Sequence, residues 1–322
     1  MPSDPMSSDL MSSNPSSSPF TLVLTGPPGA GVVSEAVTHA ACEAVARPLQ
    51  ARWLAPGDAW EATFTLHGDA DARLALLAAA EAACGALPID VNLVPGEAST
   101  RRKRLLTADM ESTIIAQEML DEMADLVGCR ADIEAITAAA MRGELDFEAS
   151  LRKRVSLFQG LEASRLDALR ARITPMPGAA TLIRTLKAHG ATTALVTGGF
   201  TIFAAPVAAD LGFDSVTANV LDVANGRLTG HVVPPVIDPQ GKADTLSRLS
   251  RGLGLDASDT LAVGDGANDA AMLAAAGLGV AFRAKPILAR QARAARNGAV
   301  VTHGDLTALL YLQGYTRDAF AD

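Results

Sequence analysis

The run Leu105-Leu106-Thr107-Ala108-Asp109-Met110-Glu111-Ser112-Thr113 constrains this chain more than any other stretch. A short apolar segment, suited to a buried strand, delivers two carboxylates and two hydroxyls at its end. Charged groups are costly to bury, so a buried strand that stops on a carboxylate is building a site as well as a core. The same grammar recurs downstream. Ala194-Leu195-Val196-Thr197, Leu261-Ala262-Val263-Gly264-Asp265 and Leu278-Gly279-Val280-Ala281-Phe282 are short apolar runs followed by Gly or small polar residues, and helical stretches separate most of them. That alternation predicts a parallel sheet in an α/β domain. One local exception is residues 216–233, where Asn225-Gly226 between alternating segments marks a β-hairpin.

Upstream, the periodicity predicts strands at Thr21–Leu24, Ala51–Leu54, Trp60–Leu66 and Ile89–Val94, with helices over residues 32–46 and 71–84. Together they make a small βαββαβ sandwich of the ferredoxin-like kind over residues 20–95. Inside it, Gly26-Pro27-Pro28-Gly29-Ala30-Gly31-Val32-Val33-Ser34 sits between strand and helix, as a phosphate-binding loop would. Such a loop needs Lys and then Ser or Thr after its last Gly, whereas Val32 and Val33 follow Gly31, so the stretch reads as a tight turn. Residues 1–19, rich in Ser, Pro, Asp, Asn and Met, read as a disordered tail, and Met1, Met6 and Met11 fit alternative translation starts. Residues 96–103, punctuated by Gly and Pro and basic at their end, read as a solvated linker to a second domain, 104–322. Just inside that domain, Ile114 to Gly128 reads as a helix with Ile115, Met119, Met123 and Leu126 on one face, and charged helices follow to about Arg172. The segment 118–176 is thus expected to form a helical cap over the sheet's C-terminal edge.

At 322 residues and 49% hydrophobic, the chain can fill two cores. A net charge of -9 disfavours nucleic acid as a partner. No apolar run reaches the roughly 18 residues of a membrane span, and the tail has neither the basic nor the apolar region of a secretory leader, so the expected location is the cytosol. The cysteines Cys42, Cys84 and Cys129 are scattered singly, which fits neither a zinc site nor a disulfide framework, and they read as small buried hydrophobes.

Open α/β sheets build their sites beyond the carboxyl ends of the strands. Three strand ends here carry chemistry: Asp109 with Glu111, Ser112 and Thr113; Thr197 with Gly198 and Gly199; Asp265 with Gly266, Ala267, Asn268 and Asp269. Lys242 is expected to open a helix after the turn Asp238-Pro239-Gln240-Gly241. Carboxylates converging on one edge repel and need a cation, and oxygen-only ligands favour Mg²⁺. A Thr hydroxyl, Gly amides and one Lys then neutralise a phosphoryl group. An Asp can attack phosphorus while the carboxyl two residues on acts as acid and base.

As a set and in this order, the motifs from about 103 to 315 resemble the phosphoserine phosphatase family of the haloacid dehalogenase superfamily. Residues 20–95 resemble the ACT-like domain that some bacterial forms carry. Asp146-Phe147-Glu148-Ala149-Ser150-Leu151-Arg152-Lys153-Arg154-Val155 is similar to the segment whose Phe and last Arg contact phosphoserine in that family. The resemblance implies a Rossmann-like parallel-sheet core with a helical cap inserted after its first strand, preceded by a small α+β ferredoxin-like domain. It implies Mg²⁺-dependent hydrolysis of O-phospho-L-serine through an aspartyl-phosphate, the last step of serine biosynthesis. Asp109 is then nucleophile and Mg²⁺ ligand. Glu111 ligates through its backbone carbonyl and serves as acid/base, Asp265 is the third protein ligand, and Asp269 supports it from behind. Glu118 pairs with the substrate ammonium, Arg154 grips its carboxylate and Phe147 contacts it, as a zwitterion requires one fixed anion and one fixed cation. Thr197, Gly198, Lys242 and Asn268 surround the phosphate.

Two positions depart from the family pattern. Glu111 stands where Asp is usual, which leaves the carbonyl ligand intact but lengthens the acid/base by one methylene. A displacement of about 1 Å can cost on the order of 10²-fold in rate, so an active but slower enzyme is expected. Thr197 replaces the more usual Ser and keeps the hydroxyl. Two other readings stand beside this one: a phosphatase for another small phosphomonoester such as phosphothreonine or phosphohomoserine, or an amino-acid sensor whose catalytic domain has decayed at Glu111. For the N-terminal domain, serine feedback at the Gly26–Gly31 turn and a homodimerisation or packing role are both open.

Overall fold

A computed structural model of the chain describes residues 18–44 and 48–321. The expected tail therefore lies outside the described residues except for Ser18 and Pro19, which already belong to the first strand. That strand, β1 (Ser18–Thr25), is followed by helix Glu35–Ala44, β2 (Gln50–Ala55), β3 (Ala59–Leu66), helix Ala70–Cys84 and β4 (Asp90–Pro95). They form a four-stranded sheet in the order β2-β3-β1-β4 with antiparallel neighbours throughout, the ferredoxin-like arrangement. Alternation sorts the faces of β1. Phe20, Leu22 and Leu24 pack with Trp60, Phe64 and Leu77 under the two helices, whereas Val23 joins Val94 and Leu54 in the larger core of the C-terminal half. This sheet is covered on both sides.

The first helix starts at Glu35, not at residue 32, because Val33 is bridged to Gly57 and the Ser34 hydroxyl caps the Val37 amide. The glycine-rich turn before it is filled by the chain itself. Asp58 accepts from the Gly29 amide at 2.8 Å and more loosely from the Gly31 amide at 3.4 Å.

The second sheet comprises β5 (Leu105–Ala108), β6 (Thr192–Phe200), β7 (Ser215–Ala224), β8 (Arg227–Val233), β9 (Thr260–Gly264), β10 (Leu278–Phe282) and β11 (Gly298–Val301), in the order β11-β10-β9-β5-β6-β7-β8. All pairings are parallel except the β7–β8 hairpin, whose turn is Asn225-Gly226 with both residues at positive φ. Fully buried β5 lies between β6 and β9, so the strand order switches direction there and opens a crevice at its carboxyl end. Helices Met119–Val127, Arg130–Met141, Phe147–Ser156 and Leu166–Arg170 cover that crevice.

Several sequence expectations need correction. Residues 114–116 form no helix: Ile115 is bridged to Pro175, the Ala116 amide donates to Thr174 O at 2.9 Å and the Met176 amide to Ile114 O at 2.8 Å. The chain entering and leaving the cap pairs with itself, and the helix waits until Met119. The helix carrying Lys242 starts at Pro239, with the Asp238 carboxylate accepting from the Gly241 amide at 2.7 Å, so Lys242 falls inside its first turns. The linker is not wholly solvated. Arg101 is 2% exposed, ion-paired to buried Glu61 of β3, and donates to Leu312 O at 2.9 Å. Of the cysteines only Cys84 is buried, and Cys42 and Cys129 are half-buried. Among the described residues no helix is long and apolar enough to cross a membrane.

Candidate active site

Asp109 is the first residue beyond β5, and its amide still donates to Val263 O on β9 at 3.0 Å. The sheet thus fixes the backbone while the side chain leaves the edge. Its buried carboxylate is divided between two tasks. Oδ1 accepts from Lys242 Nζ at 2.7 Å and from the Met110 amide at 2.8 Å. Oδ2 accepts no hydrogen bond among the described residues and stays available.

Lys242 is 1% exposed, and burial works against its charge. Asp109 and Asp269, each with an oxygen at 2.7 Å, outweigh that penalty and hold the ammonium above the ordinary lysine value. Asp269 has both oxygens engaged: Oδ1 by Lys242, Oδ2 by the amides of Asp265 and Gly266, each at 3.1 Å. Asp265 is freer, with Lys285 Nζ 3.7 Å from its Oδ2. Burial and the Asp109 charge push the Asp265 carboxyl up to about 6, and the same two causes raise Asp269.

One carboxylate oxygen from each of Asp109, Asp265 and Asp269 lies within 4.8 Å of the others. Three buried carboxyls against one buried ammonium leave surplus negative charge. The donors are all oxygen, with no thiolate or imidazole among them, so the set fits a hard divalent cation. Asp265 and the Oδ2 of Asp109 are free to ligate it, while Asp269 is committed to holding Lys242 and the Asp265 loop.

Glu111 reaches the same space from the turn after β5. The amides of Thr113, Ile114 and Ile115 all fold onto Met110 O, which leaves the Glu111 carbonyl out of that turn. Ser112, at φ +54°, swings the chain away, and its hydroxyl donates to Glu118 Oε1 at 2.7 Å. The Glu111 side chain is anchored by the Met119 amide at 2.9 Å, at the positive end of the first cap helix. Burial, then the charges of Glu118 and Asp109, push its carboxyl up to about 8. Gly199 makes room for it, since a Cβ there would lie 2.9 Å from Glu111 Oε2.

The end of β6 supplies the facing wall. Thr197 Oγ1 accepts from the Gly199 amide at 2.9 Å. Gly198 packs against the cap, and a Cβ on it would meet the Phe147 ring at 3.4 Å. Asp109, Glu111, Thr197, Gly198, Asp265 and Asn268 from the core, with Glu118, Phe147 and Arg154 from the cap, line one cavity of about 340 Å³. Arg154 is half-buried and has no carboxylate at ion-pair distance among the described residues, so its charge is open to the cavity. The structure therefore brings together every site residue expected from the sequence, with Lys242 and Asp269 directly behind Asp109.

Sequence reasoning missed other members. Leu120, Thr137 and Leu151 of the cap complete the lining, and Lys285 stands at its rim. Lys285 could have been found by the rule that found Asp265, because it follows the end of β10. Asn219 of β7 gave no local signal. Its side chain donates to Gly198 O at 2.8 Å and accepts the Ile237 amide at 2.7 Å, tying the Thr197 loop to the segment that leads into the Lys242 helix.

The model of the haloacid dehalogenase-like hydrolase family matches residues 106–274. Over 255 residues the chain is 44% identical to a phosphoserine phosphatase of Streptomyces coelicolor, a match covering 79% of this chain and 60% of that protein. A phosphoserine phosphatase of Idiomarina loihiensis is 49% identical over 184 residues, 57% of this chain and 84% of its own. The crystal structure of a probable phosphoserine phosphatase from Vibrio cholerae superposes with a TM-score of 0.72 at 30% identity, over 93% of this chain and 88% of that one. The chain spans about three fifths of the Streptomyces relative's length (60%). Family model, relatives and site geometry agree, and the chain belongs to the haloacid dehalogenase-like hydrolases.

Proposed function

We propose that this chain is a Mg²⁺-dependent phosphatase that hydrolyses O-phospho-L-serine to L-serine and phosphate. The observation that carries the reading is the pairing of Glu118 and Arg154, one anion and one cation from the cap, over a floor that presents the free Oδ2 of Asp109. A zwitterionic amino acid satisfies the first pair while its phosphate meets the second. Relatives named as phosphoserine phosphatases support the same substrate.

The residues divide the work as follows. Asp109 Oδ2 attacks phosphorus while Lys242 and the Met110 amide hold Oδ1, so the carboxylate cannot rotate away. The bond to the serine oxygen breaks, and the Glu111 carboxyl, protonated in its buried setting, gives that alkoxide its proton. Glu111, now a carboxylate, removes a proton from the water that hydrolyses the aspartyl-phosphate and restores Asp109. Thr197, the Gly198 backbone, Asn268 and Lys242 surround the phosphoryl oxygens. Asp109, Asp265 and the Glu111 carbonyl would hold Mg²⁺, which when bound neutralises charge developing on the phosphoryl group. Phe147 closes the apolar side of the cavity and keeps water from the intermediate.

We also propose a cytosolic setting and the domain division 20–95, 96–103 and 104–322, with the cap at 118–176. For the ferredoxin-like module, serine binding and self-association remain proposals, and the Asp58 carboxylate in the Gly26–Gly31 turn favours the second. The function is tested by phosphate release from phosphoserine, phosphothreonine and phosphohomoserine with Mg²⁺ and with EDTA. Preference for phosphoserine, lost with EDTA, is expected. Equal rates on all three contradict the substrate assignment, and silence on every one contradicts the enzyme reading.

A further inference from the structure

Among the described residues two cations line the cavity, Arg154 and Lys285, and the function just proposed uses only the first. Lys242 meets the phosphoryl group only at the floor beside Asp109, because its ammonium is buried and bonded to two carboxylates. Lys285 is placed differently. It follows β10 at the sheet's C-terminal edge, and its amide donates to Asp265 O at 2.8 Å, which fixes its backbone against the floor. Its side chain is 68% exposed, and its ammonium stands 3.7 Å from Asp265 Oδ2. A pair that open and that long binds weakly, so the ammonium can turn toward a new anion.

The loop also breaks two local rules. Lys285 occupies the N-cap of helix Pro286–Ala294, where a side-chain acceptor is preferred and a cation opposes the positive helix end, and it makes no capping bond. Two residues earlier Arg283, a non-glycine residue, sits at φ +43°. Segments that give up local stability in this way are characteristic of functional positions. Charge supplies the reason here. A dianionic phosphate entering the cavity approaches Asp109 and Asp265, and Lys285 is the exposed positive charge beside them.

We infer that Lys285 captures the phosphate group of the incoming phosphomonoester at the cavity mouth, passes it to the floor beside Asp109, and holds the departing inorganic phosphate in turn. The inference rests on the phosphatase reading and adds a binding residue to it.

The test compares the full-length Mg²⁺-loaded protein with Lys285→Met and Lys285→Arg. In Lys285→Met, kcat/KM for phosphoserine is expected to fall about tenfold, chiefly through KM, and its decline with ionic strength to flatten. Calorimetry with inorganic phosphate should show Kd weakened by a similar factor. Lys285→Arg should restore both, and the melting temperature of Lys285→Met should not drop, because the helix N-terminus loses an opposing cation. An unchanged KM, salt slope and phosphate Kd would overturn the inference. So would a loss confined to kcat with unchanged phosphate Kd, which would place Lys285 on Asp265 instead of on phosphate. If the wild type releases phosphate from no phosphorylated amino acid, the substrate assignment fails, while the calorimetric comparison still decides Lys285. Phosphate heats absent from the wild type, or equal in wild type and Lys285→Met, count against it.

Discussion

Glu111 is one of the two positions at which the motifs depart from the pattern they resemble, and its surroundings accommodate the longer side chain. Met119 fixes its carboxyl with one amide, and the bare Gly199 backbone accommodates it. The two ends of that accommodation lie eighty positions apart in sequence, so a reading limited to the motif could see only the extra methylene and expect a slower enzyme. The geometry predicts instead that Glu111→Asp does not raise turnover but lowers it, by on the order of 10-fold or more, because the shortened carboxyl leaves the Met119 amide and withdraws from the cavity. Glu111→Gln, which cannot exchange the proton, should lower kcat by about 10²–10⁴-fold. Steady-state kinetics of both variants checks this; a gain in Glu111→Asp would mean that the native carboxyl is misplaced. Lys242 offers a different test. Removing it leaves Asp109 and Asp269 facing each other in a buried pocket, so Lys242→Met should cost about 3–5 kcal/mol of stability, read from urea unfolding, despite adding an apolar side chain to a buried site.

At the scale of elements, what positions the site is the way strands end. β9 terminates on Gly264, where a Cβ would lie 2.3 Å from Asp269 Cγ, so only glycine lets that carboxyl tuck behind the strand and receive the Asp265 and Gly266 amides. Gly264→Ala should therefore displace Asp269, loosen Lys242 and cost about 1–3 kcal/mol. A Mg²⁺ titration of the melting temperature should show a smaller upward shift than in the wild type, and an unaltered titration would show that Asp269 does not support the metal site. These strand ends were legible in the sequence because buried parallel strands read as apolar runs and the candidate site residues follow directly. The cap entry was not. Residues 114–116 carry a helical pattern yet form no helix, since their partner is the returning chain at 174–176, sixty residues away. β11 was missed as well. Gly298–Val301 is only four residues long, and its neighbours are supplied by tertiary structure: β10 on one side and, on the other, the Asn92 side chain of β4, which donates to Val300 O at 2.9 Å and accepts its amide at 2.7 Å.

For the whole molecule, the ferredoxin-like sheet is fastened to the hydrolase core, not tethered to it. Asp90 at the start of β4 takes the amides of Thr302, His303 and Gly304 at 2.8–3.1 Å, and Arg52 and Arg101 converge on Glu61 while reaching carbonyls of residues 314 and 312. The basic run at 101–104 read as a solvated linker because nothing local shows that Glu61, forty residues upstream, would meet Arg101. So joined, the two halves should unfold in one calorimetric transition, and Arg101→Met, which strips buried Glu61 of its closest cation, should cost about 3–5 kcal/mol or split that transition in two. Two separate transitions in the wild type would contradict the joint. The central claim concerns the floor of the cavity, where one oxygen of Asp109 is pinned and the other is free to attack. It is tested most directly by acid-quenching the Mg²⁺-loaded enzyme during turnover of phosphoserine and locating the covalent phosphoryl group by peptide mass spectrometry. The account predicts one phosphoryl adduct on the peptide carrying Asp109, absent after EDTA treatment and absent from Asp109→Asn; an adduct on another residue, or an Asp109→Asn enzyme that still turns over at the wild-type rate, would contradict it.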